Sequence, residues 1–422
     1  MNIQKFKRGM HFMKKSFLFR ISAFFAMSFY LFLFCVSCAG TEKSDRTEGA
    51  ALVFFRDHST SSFMRGFDAS MVYEIEKNGG SYRDKKGNAV DVFALLKRHG
   101  INWIRLRLWH TPDMTDKNLS GHNDLARTVE MAKRIKDAGL SFLLDIHFSD
   151  SWADPGNQKY PATWDSVSSV EELQNFVAQY TAQVLIALKE TPPDMVQLGN
   201  EINPGFLVTK SNAASIEDFA EISCSSYKSD ETAENFKRVF SFAADVVRSL
   251  CPNAKIMVHL ASSNGESLKW WFQKFKNIDF DVIGLSYYPF ENHGTQKELE
   301  QNIAELKADF QKEVIVAETS WAWTTGWKDE KSNIFYIEQE ESGAKKLTSL
   351  KDSGITAVAS EYGQKAVLSS IIESCKNAGG SGVFYWGGDW ISCDNVPSSW
   401  ENQALFDFDG KILPAVDAFL GK

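Results

Sequence analysis

The chain has 422 residues, with 44% apolar residues, 24% charged residues and only 10 prolines, which excludes disorder, collagen and coiled coil because enough apolar side chain is present to offset ordering entropy. This length allows one large enzyme domain or two to three of ordinary size. The formal net charge of -8 argues against a nucleic-acid surface, which needs a concentrated excess of Lys and Arg, and suits a neutral or acidic partner.

The N-terminus reads as a targeting segment. Lys14 and Lys15 precede Phe17-Leu18-Phe19 and the apolar run Ile21 to Val36, a charged n-region and an h-region, with Met13 as an alternative start. The run ends at Cys35-Val36-Ser37-Cys38-Ala39-Gly40. Small residues around Cys38 are similar to a bacterial lipobox, although Cys35 stands where Leu is usual. The expectation is a lipoprotein-type signal over 1–38, lipidated at Cys38, then a polar tether over 39–60. A plain secretory signal or a single membrane anchor fits the same run. Export to the periplasm or to the cell surface as an outer-membrane lipoprotein follows, with the membrane reached only through the lipid, and the protein is expected to be a monomer.

From residue 61 to 422 the chain alternates short β-rich runs with amphipathic stretches, the pattern of βα units around a parallel sheet. The expected strands are Met64–Asp68, Trp103–Arg107, Phe142–His147, Met195–Asn200, Lys255–Leu260, Val282–Ser286, Val314–Glu318 and Val383–Trp386. Helices are expected over Asp91–His99 and Leu125–Ala138, ended by Gly100 and Gly139. Eight units predict a (β/α)8 TIM barrel with enlarged loops on its C-terminal face. A doubly wound sheet lacks its GxGxxG after the first strand. Cys224, Cys251, Cys375 and Cys393 are too few and too irregular for a disulfide scaffold or a zinc site, and leave any pairing open.

Polar residues collect at the strand ends: Asp68, Arg105, Arg107, His147, Asn200, Glu201, His259, Tyr287, Glu318 and Trp386. Any one could be a satisfied core group; most of eight strands ending so by chance is much rarer. In a barrel these ends meet at one mouth. Strands four and seven face each other there, so Glu201 and Glu318 can flank a glycosidic bond. Glycoside hydrolysis needs such a pair, one carboxyl giving a proton to the leaving oxygen while the other attacks or activates water. The tryptophans, 12 in all, add flat indole faces suited to sugar rings.

Longer stretches carry a resemblance. Gly66-Phe67-Asp68-Ala69-Ser70, Ile104 to Trp109, Leu144 to Pro155, Gly199-Asn200-Glu201-Ile202, Ser286 to Phe290, Val316 to Thr319 and Asn402 to Asp407 resemble the arabinogalactan endo-β-1,4-galactanases of glycoside hydrolase family 53, in the clan of retaining (β/α)8 glycosidases. The resemblance implies endo-hydrolysis of β-1,4-galactan with Glu201 as acid/base and Glu318 as nucleophile. It also implies that Asn200 meets the sugar 2-OH and that Arg105 orients Glu318, with the role of Arg107 not separable. Asp68, His147, Tyr287 and Tyr288 are expected as further substrate contacts. Trp386 is the expected platform for the sugar whose bond is cut, with Trp109, Trp152, Trp321 and Trp390 around it and Trp400 as an extension. Trp270 and Trp271 are expected to pack. Bacterial relatives often hold calcium in the loop after strand seven, but Gly326 to Asn333 carries Lys331 where an acidic ligand would help. No cofactor and no metal are expected, and that loop reads as solvated. Two alternatives remain: another clan activity such as mannanase or glucanase, because subsite aromatics select the sugar, and a non-catalytic glycan-binding lipoprotein, which retention of both glutamates disfavours.

Overall fold

The computed structural model describes residues 62–115, 123–261, 265–291, 293–335 and 358–421. The signal segment, Cys38 and the polar tether lie outside the described residues. Eight parallel strands close into a barrel: β1 (Met64–Asp68), β2 (Trp103–Leu108), β3 (Ser141–Ile146), β4 (Met195–Leu198), β5 (Lys255–Ala261), β6 (Val282–Ser286), β7 (Glu313–Thr319) and β8 (Gly382–Tyr385). Closure is direct, with Met64 of β1 opposite Gly382 of β8. All eight expected strands are present; β4 ends two residues earlier than Asn200, freeing Gly199 to Glu201 to turn.

Helices begin where the sequence can satisfy their first amides. Asp91, Asp124, Ser169 and Ser360 each accept a backbone N–H of the first turn, and Ser229 and Thr295 form reciprocal caps with Thr232 and Glu298. Val92–Arg98 and Leu125–Asp137 end before Gly100 and Gly139 as expected. The 21-residue helix Asp230–Leu250 buries Phe236, Val239, Phe240, Ala243, Ala244 and Val247 along one stripe, the spacing of a helix laid on a barrel wall. Among the described residues no helix is long and apolar enough to cross a membrane.

Strand alternation sorts the barrel interior by height. Inward positions at the lower end are apolar, Met64, Leu143, Met195, Met257, Val282, Ile315 and Phe384, and they form a separate plug. Gly66 is required within it, since a Cβ there would stand 2.0 Å from the Phe384 ring. One or two inward positions higher come Asp68, Arg105, Asp145, Gln197, His259, Ser286 and Trp386. Apolar below and polar above on the same face is what puts chemistry at the C-terminal mouth.

β7 breaks this alternation. Leu285 pairs with Val316 but Ser286 pairs with Glu318, and a matching shift against β8 separates Val316 from Thr319. The extra residue is a β-bulge. Ala317 already faces inward, so simple alternation would send Glu318 outward into the helix layer. The bulge turns it into the mouth.

The four described cysteines are free thiols. Trp271 is buried as expected, whereas Trp270 is 50% exposed on the helix Gly265–Lys274, with the Lys274 ammonium 5.1 Å from its ring centre.

Candidate active site

Arg105 organises the mouth. Its guanidinium is buried and donates to Asp68 Oδ2 (3.1 Å), Asp145 Oδ2 (2.8 Å), Asn200 Oδ1 (2.9 Å) and Gln197 Oε1 (3.2 Å), and pairs with Glu318 Oε1 at 2.8 Å. Burial opposes its charge, but Asp145, Glu318 and Asp68 raise its pKa above the ordinary arginine value. Glu318 gains a second donor, Tyr288 Oη at 2.8 Å from Oε2.

Glu201 differs from Glu318 in its surroundings. It sits at a residue with φ of 47, and a Glu201 carboxylate oxygen lies within 4.8 Å of one of Glu318. Among the described residues it receives one hydroxyl, Ser286 Oγ at 2.5 Å from Oε1, and no cation. Burial first and the Glu318 charge second push its carboxyl up to about 8. Burial also raises Glu318, and there Arg105 and Tyr288 oppose it. Of two neighbouring carboxyls that resist ionising together, Glu201 is therefore the one that keeps the proton.

Asn200 Oδ1 accepts from Arg105, Gln197 Nε2 (3.0 Å) and lies 2.9 Å from His259 Nδ1, while its amide nitrogen donates to the Ala153 carbonyl at 2.8 Å. One amide hydrogen remains for a ligand. His147 Nδ1 accepts from Ala153 N (3.1 Å) and Trp109 Nε1 (3.3 Å), so its proton is on Nε2, 3.1 Å from Asp145 Oδ2. Both nitrogens serve the protein, which corrects the expectation of a sugar contact: His147 fixes Asp145, and Asp145 fixes Arg105. Tyr287 is likewise corrected. It points outward from β6, is fully buried, and among the described residues its hydroxyl bonds only the Gly294 carbonyl at 3.4 Å.

The structure also separates the two arginines. Arg107 leaves Glu318 to Arg105 and lies under an aromatic cage, 4.2 Å from the Trp152 ring centre, 5.3 Å from Trp109 and 5.6 Å from Trp390. Burial pushes its pKa down to about 10. Above the cage, Trp386 makes a wall with Trp152 (6.0 Å), Trp390 (5.1 Å) and Trp400 (4.7 Å, interplanar 90°), with Tyr288 edge-on at 6.5 Å. Trp386 and Trp152 keep a partly exposed face. Trp109 and Trp321 do not: both are 0% exposed, Trp109 spending its N–H on His147 and Trp321 on the Val358 carbonyl. Their expected role as sugar platforms gives way to packing behind the wall.

Gln197, Asp145 and Ser286 were not singled out from the sequence. Each sits on the inward parity of its strand: Asp145 two residues before His147 and Ser286 two before Tyr288.

No bound group is needed to account for the cluster. Glu201, His259 and Glu318 place three ligand atoms within 4.8 Å of one another, but both His259 nitrogens face hydrogen-bond partners and Arg105 supplies the positive charge beside Glu318. The loop after β7 is mostly exposed, as expected, and is tied down at its backbone. Asp329 accepts Lys331 N (2.7 Å) and Ser398 N (2.6 Å), and Glu401 accepts the Lys328 and Asp329 amides. Residues 336–357 of that connection lie outside the described residues.

Comparison with known proteins gives the family. The chain is 33% identical over 370 residues to an arabinogalactan endo-β-1,4-galactanase of Cellvibrio japonicus, covering 84% of this chain and 89% of that one. It is 30% identical over 406 residues to an endo-β-1,4-galactanase of Bacillus subtilis, covering 85% of each. The solved family 53 catalytic domain of Ignisphaera aggregans superposes with a TM-score of 0.74 at 34% identity, over 85% of this chain and 95% of that one. The family described as Glycosyl hydrolase family 53 matches residues 64–419. A two-glutamate barrel mouth, these relatives and that match together place the chain in glycosyl hydrolase family 53.

Proposed function

We propose that this protein is an endo-β-1,4-galactanase that cleaves galactan and the galactan backbone of type I arabinogalactan by a retaining double displacement. The observation that carries the mechanism is the asymmetry of the glutamate pair. One oxygen of each lies within 4.8 Å of the other, close enough for the short carboxyl separation of roughly 5 to 5.5 Å that retention needs, and among the described residues only Glu318 has a cation. Glu318 attacks the anomeric carbon as Glu201 gives its proton to the leaving glycosidic oxygen. The galactosyl ester on Glu318 is then attacked by water, whose proton returns to Glu201. Arg105 and Tyr288 hold both Glu318 oxygens for in-line attack, and the remaining Asn200 hydrogen suits the sugar 2-OH. Trp386 and Trp152 offer the stacking faces.

The sugar assignment is tested by reducing-end assay on β-1,4-linked galactan, mannan and glucan. Buried groups that hydrogen-bond an axial 4-OH reject its epimer by a factor on the order of 10⁴. Galactan is expected to be the only good substrate; mannan or glucan hydrolysed within tenfold of it overturns the galactan assignment and leaves the two-glutamate chemistry standing.

The proton donor gives a pH test. Glu201 must carry its proton to act as acid, and its carboxyl is raised to about 8, so kcat/KM for substrates with poor leaving groups is expected to hold below that value and fall as pH rises through it. A nitrophenyl leaving group, needing no proton, flattens that limb. An identical limb on both substrates removes Glu201 from the role.

In this reading no metal takes part. Chelator is expected to leave activity unchanged and to lower Tm little, whereas stripping a metal bound only to the native state would cost several kcal/mol at saturation. A large fall in Tm restored by calcium places a site in the loop after Glu318. The reading also has the protein exported and anchored through Cys38, acting as a monomer on its tether.

A further inference from the structure

We propose that Ser286 and His259 are positioning residues that decide which oxygen of Glu201 carries the catalytic proton, an inference that rests on Glu201 being the acid/base. Ser286 Oγ stands 2.5 Å from Glu201 Oε1 and 2.9 Å from His259 Nε2. A hydroxyl has one proton to share between these two partners. An ionised Glu201 only accepts, so Ser286 donates to Oε1, and the bond to His259 is made only if Nε2 is the protonated nitrogen.

The far side of the imidazole accommodates the same tautomer. Arg105 can only donate, and its Nε on Gln197 Oε1 fixes that amide with its nitrogen 3.0 Å from His259 Nδ1. Gln197 Nε2 has two hydrogens and three acceptors in reach, the Gly199 carbonyl (3.1 Å), Asn200 Oδ1 (3.0 Å) and His259 Nδ1 (3.0 Å), and Asn200 Oδ1, 2.9 Å from Nδ1, also accepts from Arg105. With the Gln197 hydrogens on Asn200 Oδ1 and His259 Nδ1, Nδ1 accepts and Nε2 donates. The donors thus run one way, Arg105 to Gln197 to His259 to Ser286 to Glu201 Oε1. Among the described residues no protein donor reaches Oε2, so the acid proton rides there. In the first step that proton passes from Oε2 to the leaving oxygen, and in the second a water proton returns to Oε2. The Ser286 and His259 protons do not move.

The charges facing this chain are consistent with it. Arg105 and His147 face His259, which burial and these two groups keep neutral. Glu318, Asp154, Glu291 and Tyr288 face Glu201, and the Ser286 hydroxyl is the group that favours its carboxylate form.

Nitrogen-15 NMR of histidine-labelled enzyme tests the tautomer, with the His259 signals assigned by their loss in His259→Gln. The expected result is a neutral ring with Nε2 protonated and Nδ1 bare from about pH 5 to about pH 9. A protonated Nδ1 at any pH in that range overturns the proposal. In kinetics, Ser286→Ala removes a donor to the carboxylate, so the alkaline limb of kcat/KM is expected to move up by roughly one pH unit or less. His259→Gln, which keeps a donor facing Ser286, is expected to retain the wild-type limb, and His259→Met to shift it as Ser286→Ala does. Equal limbs in all three variants show a packing role only and overturn the proposal. Failure of Glu201 as acid/base appears separately: azide then does not restore turnover to Glu201→Ala on a nitrophenyl galactobioside, while the tautomer is unchanged.

Discussion

Glu318→Ala is expected to lose on the order of 10⁵-fold in kcat on galactan, the scale of removing a covalent nucleophile, while the barrel still folds. Glu201→Ala is expected to lose about 10² to 10⁴-fold on the polysaccharide and far less on a nitrophenyl galactobioside, since only the galactosidic leaving group needs the proton. Azide separates the two by stereochemistry. In Glu201→Ala it fills the space of the acid/base, attacks the galactosyl ester from the water face and yields a β-azide. In Glu318→Ala it fills the space of the nucleophile, attacks the substrate directly and yields an α-azide. Proton NMR of the product reads the configuration. An α-configured first product from the wild type, or the same azide anomer from both variants, removes the double displacement.

Arg105→Met is expected to cost both stability and activity. Asp68, Asp145 and Glu318 are all within 3.1 Å of this one guanidinium and all buried. Removing it leaves buried carboxylates facing one another without a counter-charge, a loss of about 3 to 5 kcal/mol. Spread over the unfolding entropy of a barrel this size, that lowers Tm by roughly 4 to 7 °C. Activity is expected to fall by more than about 10³-fold, because Glu318 then takes up a proton and loses its orientation. Arg105→Lys restores charge without the planar fork that reaches five acceptors, so it is expected to recover Tm more than kcat. Differential scanning calorimetry beside initial rates separates the effects. An Arg105→Met enzyme with wild-type Tm means that the three carboxyls carry little charge in the native protein.

The barrel itself was legible in the sequence because local rules suffice for it. Runs such as Val282–Ser286 and Val314–Glu318 are short, apolar and β-branched, Gly100 and Gly139 stop the helices that precede strands, and the polar residue at each strand end marks the mouth. Glu201, Glu318, Asn200 and Arg105 could be named from position alone, since strand ends converge in any closed barrel. What the sequence could not carry was direction and exposure. Tyr287 and Tyr288 are neighbours of one type, yet only Tyr288 lies on the inward parity of β6 and reaches Glu318. Arg105 and Arg107 share a face, and one level of height puts the first among carboxylates and the second under indoles. Trp109 and Trp321 look like Trp386 in a list of strand-end aromatics, but His147 and Val358 take their N–H groups inside the packing. The bulge in β7 is the sharpest instance. Alternation alone sends Glu318 outward, and only the register that β6 and β8 impose on β7 turns it to face Glu201. Chain-local pattern determined the elements and their polar ends; long-range pairing between strands decided which side chains meet, because that depends on register and depth, which are properties of the closed sheet.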